Sequence, residues 1–108
     1  MTRHTHLIGT LVQCRIEMKD ELEVRMRHVT TQCNLNVVNY AFHQFDPIGC
    51  TGVLVLSESH FSCHSWPEDE KIYLDVYCCS NDFNPVNCKQ TIEHVFNAKL
   101  VDFQVIFR

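Results

Sequence analysis

Little in this sequence is extreme, and what is scarce narrows the choices. Its 108 residues include three glycines, three prolines and one tryptophan, which excludes collagen-like, low-complexity and linker-rich designs. No apolar run approaches the roughly 20 residues that a membrane-spanning helix needs. The opening MTRHTHLIGTLVQCR breaks its apolar residues with polar ones as a strand does, unlike a signal peptide. A membrane is therefore not an expected partner. Nine Lys and Arg are scattered along a chain of net charge −4, so the electrostatic footprint of a nucleic-acid binder is missing as well. A nucleophile-elbow glycine pattern is also lacking, which removes the usual Ser-His-Asp hydrolase.

Cysteine, by contrast, is plentiful. The seven are Cys14, Cys33, Cys50, Cys63, Cys78, Cys79 and Cys88. An odd count without an export signal reads as reduced thiols in a cytoplasmic protein, most of them small core residues.

The length suits one domain, residues 1–108. Residues 5–14 read as a strand. From Asp20 the apolar spacing becomes helical, with Leu22, Met26, Val29 and Cys33 on one face and acidic residues at the start. Strand-like alternation returns in NVVNYAFHQF, TGVLVLS, SHFSCHSW and KIYLDVYCC, and some of these strands could run continuously through Ser59. Asn84 and Pro85 then form an N-cap and first helical turn. Behind them Cys88, Ile92, Val95 and Phe96 make an apolar stripe, and LVDFQVIF closes as a last strand. The order β-α-β-β-β-β-α-β predicts an α/β (α+β) chain: a two-layer sandwich of a largely antiparallel sheet with two helices on one face. The uncovered sheet face favours a homodimer packed sheet against sheet over a monomer with a polar open face.

The run LSESHFSCHSWPEDE, residues 56–70, is too rich in chemistry for a merely structural strand. Ser59 is a candidate reactive hydroxyl, although serine in a strand is ordinarily a surface residue. Alternation places His60 and His64 on the face opposite Ser59, so only a turn or kink would join them, and periodicity leaves that contact open. A zinc site built from His60, Cys63 and His64 with Cys78 or Cys79 matches no closed spacing, and no metal is expected.

TGVLVLSESHFSCHSWPE, then YLDVYCC and an Asn-Pro helix start, resembles the small prokaryotic-type S-adenosylmethionine decarboxylases. FHQFDPIG, residues 42–49, is similar to another block of that family, and the likeness runs from about His6 to the end. The resemblance implies a proenzyme that cuts itself between Glu58 and Ser59. The products would be residues 1–58 and residues 59–108, the latter headed by a pyruvoyl group made from Ser59. In this reading the Ser59 hydroxyl attacks the Glu58 carbonyl, whose amide must be strained or polarised. His64 is the processing base and Thr51 assists the acyl shift. The pyruvoyl ketone then forms a Schiff base with the substrate amine, and Cys79 is the proton donor. Phe45, Trp66 and Glu68 match substrate-binding positions for S-adenosylmethionine, whose decarboxylated form donates aminopropyl groups for spermidine. The segment Asp69-Glu70-Lys71-Ile72-Tyr73 replaces a Tyr-Gly-Tyr-Ala-Ala-like stretch of the family. Two alternatives stay open: a pyruvoyl-dependent ornithine or arginine decarboxylase, and an unprocessed, non-enzymatic partner subunit.

Overall fold

A computed structural model describes residues 3–108. The elements are β1 (Thr5–Val12), α1 (Lys19–Gln32), β2 (Val37–Gln44), β3 (Cys50–Leu56), β4 (Ser59–Trp66), β5 (Lys71–Cys78), α2 (Pro85–Phe96) and β6 (Lys99–Phe107), with a short 3-10 turn at Pro67–Asp69. The expected two-layer α+β sandwich is what forms. Six antiparallel strands lie in the order β2-β3-β4-β5-β1-β6, and both helices pack on one face.

Alternation explains which face. Thr5, Leu7, Gly9 and Leu11 of β1 point inward, as do Phe61, Cys63 and Ser65 of β4 and Ile72, Leu74, Val76 and Cys78 of β5. Against them the helices set Leu22, Met26 and Val29 of α1 and Cys88, Ile92, Val95 and Phe96 of α2. Gly52 is required by this packing: a Cβ there would lie 2.3 Å from the Phe42 ring.

The helix ends are held differently. Asn84 caps α2 by accepting from the Asn87 N–H at 3.1 Å, and Asn97 ends it in the left-handed conformation. At α1 no side chain of Met18 caps the start. The Lys19 N–H is instead taken at 2.7 Å by Oε1 of Gln44 from β2.

β3 and β4 are not continuous. Leu56 pairs with Ser59 across a two-residue turn, Ser57-Glu58, which puts the Glu58–Ser59 bond where the chain re-enters the sheet. Thr51 lies within β3 opposite His64. In the charged segment that departs from the family pattern, Glu70 takes φ 53° without glycine's freedom. The bend survives because the Glu70 N–H reaches Pro67 O at 3.0 Å and its carbonyl accepts from Cys14 N at 2.9 Å.

The open sheet face carries Ile8, Val53, Val55, Tyr73 and Trp66 among polar side chains, with Trp66, Val55 and Tyr73 all substantially exposed. Among the described residues no helix is long and apolar enough to cross a membrane.

Candidate active site

The Ser57-Glu58 turn and the coil after β5 meet at one end of the sheet. There Glu58, Ser59, Cys78 and Cys79 line a cavity of about 430 Å³, closed on the helix side by Cys33, Leu35 and Phe83. The Cys79 thiol donates to the Glu58 carbonyl oxygen at 2.7 Å and lies 3.6 Å from the Glu58 carboxylate. The Ser59 side chain lines the same cavity beside that sulfur.

Neither Ser57 nor Glu58 has a positive φ and their peptide bonds are trans. The amide is therefore polarised through its oxygen rather than bent in its backbone. Partial desolvation, and then the neighbouring Glu58 carboxylate, raise the Cys79 thiol above its ordinary value, which keeps it protonated and able to donate. Burial likewise raises Cys14, Cys50 and Cys63, as expected of inert core thiols. All seven cysteines are free.

The remaining expected residues gather elsewhere. His64 Nδ1 lies 3.2 Å from the Thr51 hydroxyl on the open sheet face. At the end of β4, Phe45, Trp66 and Glu68 line a second cavity of about 250 Å³. The His43 ring meets Phe45 edge-on at 4.8 Å. β4 pairs without a break from Ser59 to His64, so the kink that would bring His64 to Ser59 is absent. At about 3.3 Å per residue the two Cα atoms are roughly 16 Å apart. One chain thus separates the expected residues into two groups: Glu58, Ser59 and Cys79 at one end, and Thr51, His64, Phe45, Trp66 and Glu68 at the other.

The structure also assembles a group that the sequence did not announce. His6 of β1, His60 of β4 and Asp75 of β5 converge on the open face, with both Nε2 atoms 2.8 Å from Asp75 Oδ2. The Ser62 hydroxyl holds the other carboxylate oxygen. Burial pushes Asp75 up, but the hydrogen bonds from Ser62, His60 and His6 outweigh it and hold the carboxyl below its ordinary value. Only the β1–β5 and β4–β5 registers could have revealed this group. The earlier zinc candidate is not assembled, since Cys63 is buried on the helix side while His60 and His64 occupy the other face.

The adenosylmethionine decarboxylase from Aquifex aeolicus, a solved structure, shares this fold. It superposes with a TM-score of 0.86 at 27% identity, over 97% of this chain and 89% of its own. Fold and sequence likeness together define a decarboxylase, a lyase of proenzyme type. The S-adenosylmethionine decarboxylase proenzyme of Clostridium botulinum is 31% identical over 106 residues, covering 95% of this chain and 91% of that protein. The protein of the same name from Thermotoga maritima is 31% identical over 99 residues, covering 89% and 76%. The family profile described as S-adenosylmethionine decarboxylase matches residues 5–108. The chain belongs to the S-adenosylmethionine decarboxylase family.

Proposed function

We propose that this chain cuts itself between Glu58 and Ser59, and that the product is a pyruvoyl-dependent S-adenosylmethionine decarboxylase working as an isologous homodimer. The observation that carries this reading is the Cys79 thiol on the Glu58 carbonyl, beside the Ser59 hydroxyl. Ser59 Oγ adds to the Glu58 carbonyl carbon, and the hydroxyl proton passes to the amide nitrogen as the C–N bond breaks. An ester now joins the chain. Negative charge gathers on the Glu58 oxygen, where the thiol already donates; such preorganised donors are the most effective kind.

Removal of the Ser59 α-proton then expels the Glu58 carboxylate. Water replaces the nitrogen, ammonia leaves, and residues 59–108 begin with a pyruvoyl group. The base for that proton is a histidine, the side chain that exchanges protons near neutrality. Within one chain His64 is out of reach, so the reading takes His64 of the partner subunit. A two-fold axis relating the open faces sets one end of β4 against the other end of its copy, completing each partial site. The mixed apolar face around Val53, Val55, Ile8 and Tyr73 supports that packing.

The residues suit a pyruvoyl group, because Ser59 borders a cavity with room for a ligand and a protonated thiol at its wall. When present, that group supplies the electron sink on which an α-amino acid loses carbon dioxide. Cys79 Sγ holds the proton to be returned afterwards. Phe45 and Trp66 offer exposed π faces to an adenine or a sulfonium cation, and Glu68 can accept from ribose hydroxyls. The product is the aminopropyl donor for spermidine.

Intact mass under denaturing conditions, with Ser59→Ala as control, tests the cleavage. Fragments of 58 and 50 residues, the second lacking the mass of ammonia relative to a serine-headed chain, support it. Carbon dioxide release from S-adenosylmethionine, ornithine and arginine then identifies the substrate. A chain that stays whole and matches the control refutes self-processing and returns the non-enzymatic reading.

A further inference from the structure

The cluster on the open face has no part in the chemistry above. Its donors come from three adjacent strands: His6 from β1, Asp75 from β5 and His60 from β4. One ligand atom from each lies within 4.8 Å of the others, and both imidazole Nε2 atoms are 2.8 Å from the same carboxylate oxygen.

The surroundings hold the donors in place. Ser62 binds the second oxygen of Asp75 and so orients the carboxylate, the outer-shell contact that tuned metal sites use. The two imidazoles meet edge to face at 6.1 Å, and the Tyr77 ring packs against each at 5.9 Å. Tyr77 is tied in turn to His4. The side chains of His6, Asp75 and His60 are 26%, 24% and 40% exposed, leaving an approach for a cation and a place for water.

We propose that His6 Nε2, His60 Nε2 and Asp75 Oδ2 form a binding site for a divalent transition-metal cation of the zinc and cobalt class. Two imidazoles and one carboxylate with an open fourth position suit such ions, whereas magnesium and calcium take oxygen ligands. Donors about 2.0–2.2 Å from a tetrahedral ion stand roughly 3.3–3.5 Å apart, so the two 2.8 Å contacts need open by only about half an ångström. The protons balance: each neutral imidazole moves its single proton from Nε2 to Nδ1 when Nε2 takes the ion, and a protonated one releases a proton to solvent. Because His60 directly follows Ser59, a bound ion would anchor the start of β4 just behind the cleavage turn.

The test does not depend on the decarboxylase reading, because it uses the uncleavable Ser59→Ala chain. After treatment with a chelator, the chain is titrated with Co2+ and its visible ligand-field bands are followed, with Zn2+ as competitor. The expected result is one Co2+ per chain with bands lacking sulfur charge transfer. His6→Asn and His60→Asn should each abolish them, while His28→Asn on α1 should leave them unchanged. Ser62→Ala keeps all three ligands and should weaken binding by about tenfold or more, which separates a metal site from a fold defect. Absence of Co2+ bands in the parent chain overturns the proposal. So do bands that survive in both the His6 and His60 variants, or bands of thiolate character.

Discussion

Two chains that are each unable to mature should rescue one another. Ser59 opens β4 and His64 lies five residues on, about 16 Å away along an extended strand and on the opposite face. Proton transfer requires approach to about 3 Å, which no histidine rotamer supplies. Closing the gap within one chain would mean unzipping β4 from both neighbours and exposing Phe61, which is fully buried. Losing the burial of one phenylalanine costs roughly 3–5 kcal/mol, much of the 5–15 kcal/mol that typically holds a domain together. A second copy needs no such opening.

On the proposed reading Ser59→Ala removes the nucleophile and His64→Ala the base, so each chain alone should stay whole. Co-expressed with different tags and paired at random, about half of the His64→Ala chains face a partner with an intact His64. That half should be cut. In doubly tagged dimers every His64→Ala chain should be cut, which denaturing mass spectrometry reads directly. Doubly tagged dimers that remain entirely uncut would refute the shared-site reasoning, as would His64→Ala maturing unaided at the parent rate.

Other expectations follow from single contacts. Cys79→Ala should slow appearance of the 50-residue fragment by about 10²–10³-fold, the usual loss when one donor to a developing oxyanion is removed; time-resolved mass analysis measures it. Cys33 is lowered to about 7, chiefly by a hydrogen bond from Cys88 and against the raising effect of burial. Its alkylation rate should therefore rise with a midpoint near that pH, rather than near the ~8.5 of a free thiol, as peptide mapping after iodoacetamide will show. Burial raises the Glu93 carboxyl, but the Leu100 N–H at 2.9 Å and then Lys89 at 3.1 Å outweigh it and hold it below its ordinary value. Its stabilising contribution is complete above the unfolded value of about 4.3 and disappears as pH falls through the lower folded value. Glu93→Gln should accordingly flatten the acid limb of stability in denaturant titrations below about pH 4.3. Asn84→Ala, which removes the α2 cap, should cost about 1 kcal/mol in the same assay.

What was legible in the sequence was what depends on neighbours along the chain. The α2 cap, the apolar stripes of both helices and the period-two runs are local, and each became the element it predicted. The Ser57-Glu58 bend was obscure because it contains none of the glycine, proline or asparagine that usually marks a turn. It exists because Leu56 and Ser59 pair across it. The start of α1 was legible from Asp20 to within one residue, but not its capping, because the Lys19 N–H is satisfied by distant Gln44 rather than by a local cap. His6 and Asp75 stand 69 residues apart, and only strand order makes them neighbours. The likeness to a known family named Ser59, His64 and Cys79 together. It gave no hint that one chain keeps Cys79 with Ser59 and sends His64 to the other end of β4.

The density of polar chemistry on β4 has a physical account in its two faces. Phe61, Cys63 and Ser65 fill the helix side, leaving His60, Ser62, His64 and Trp66 on the side that no helix covers. If a second sheet closes over that side, as the proposed dimer requires, the Asp75 carboxylate and its two imidazoles lose much of their remaining water. The carboxylate then depends on its hydrogen bonds to His6, His60 and Ser62, and burying an ion without a counter-charge is costly. A divalent cation at the same point would supply that charge and tie three strands together. The dimer and the metal site, argued from different residues, therefore make a joint demand: Zn2+ should tighten the association of Ser59→Ala chains in sedimentation equilibrium, and Asp75→Asn should remove that dependence. Association indifferent to Zn2+ in the parent chain would separate the two proposals and leave the cluster outside the interface.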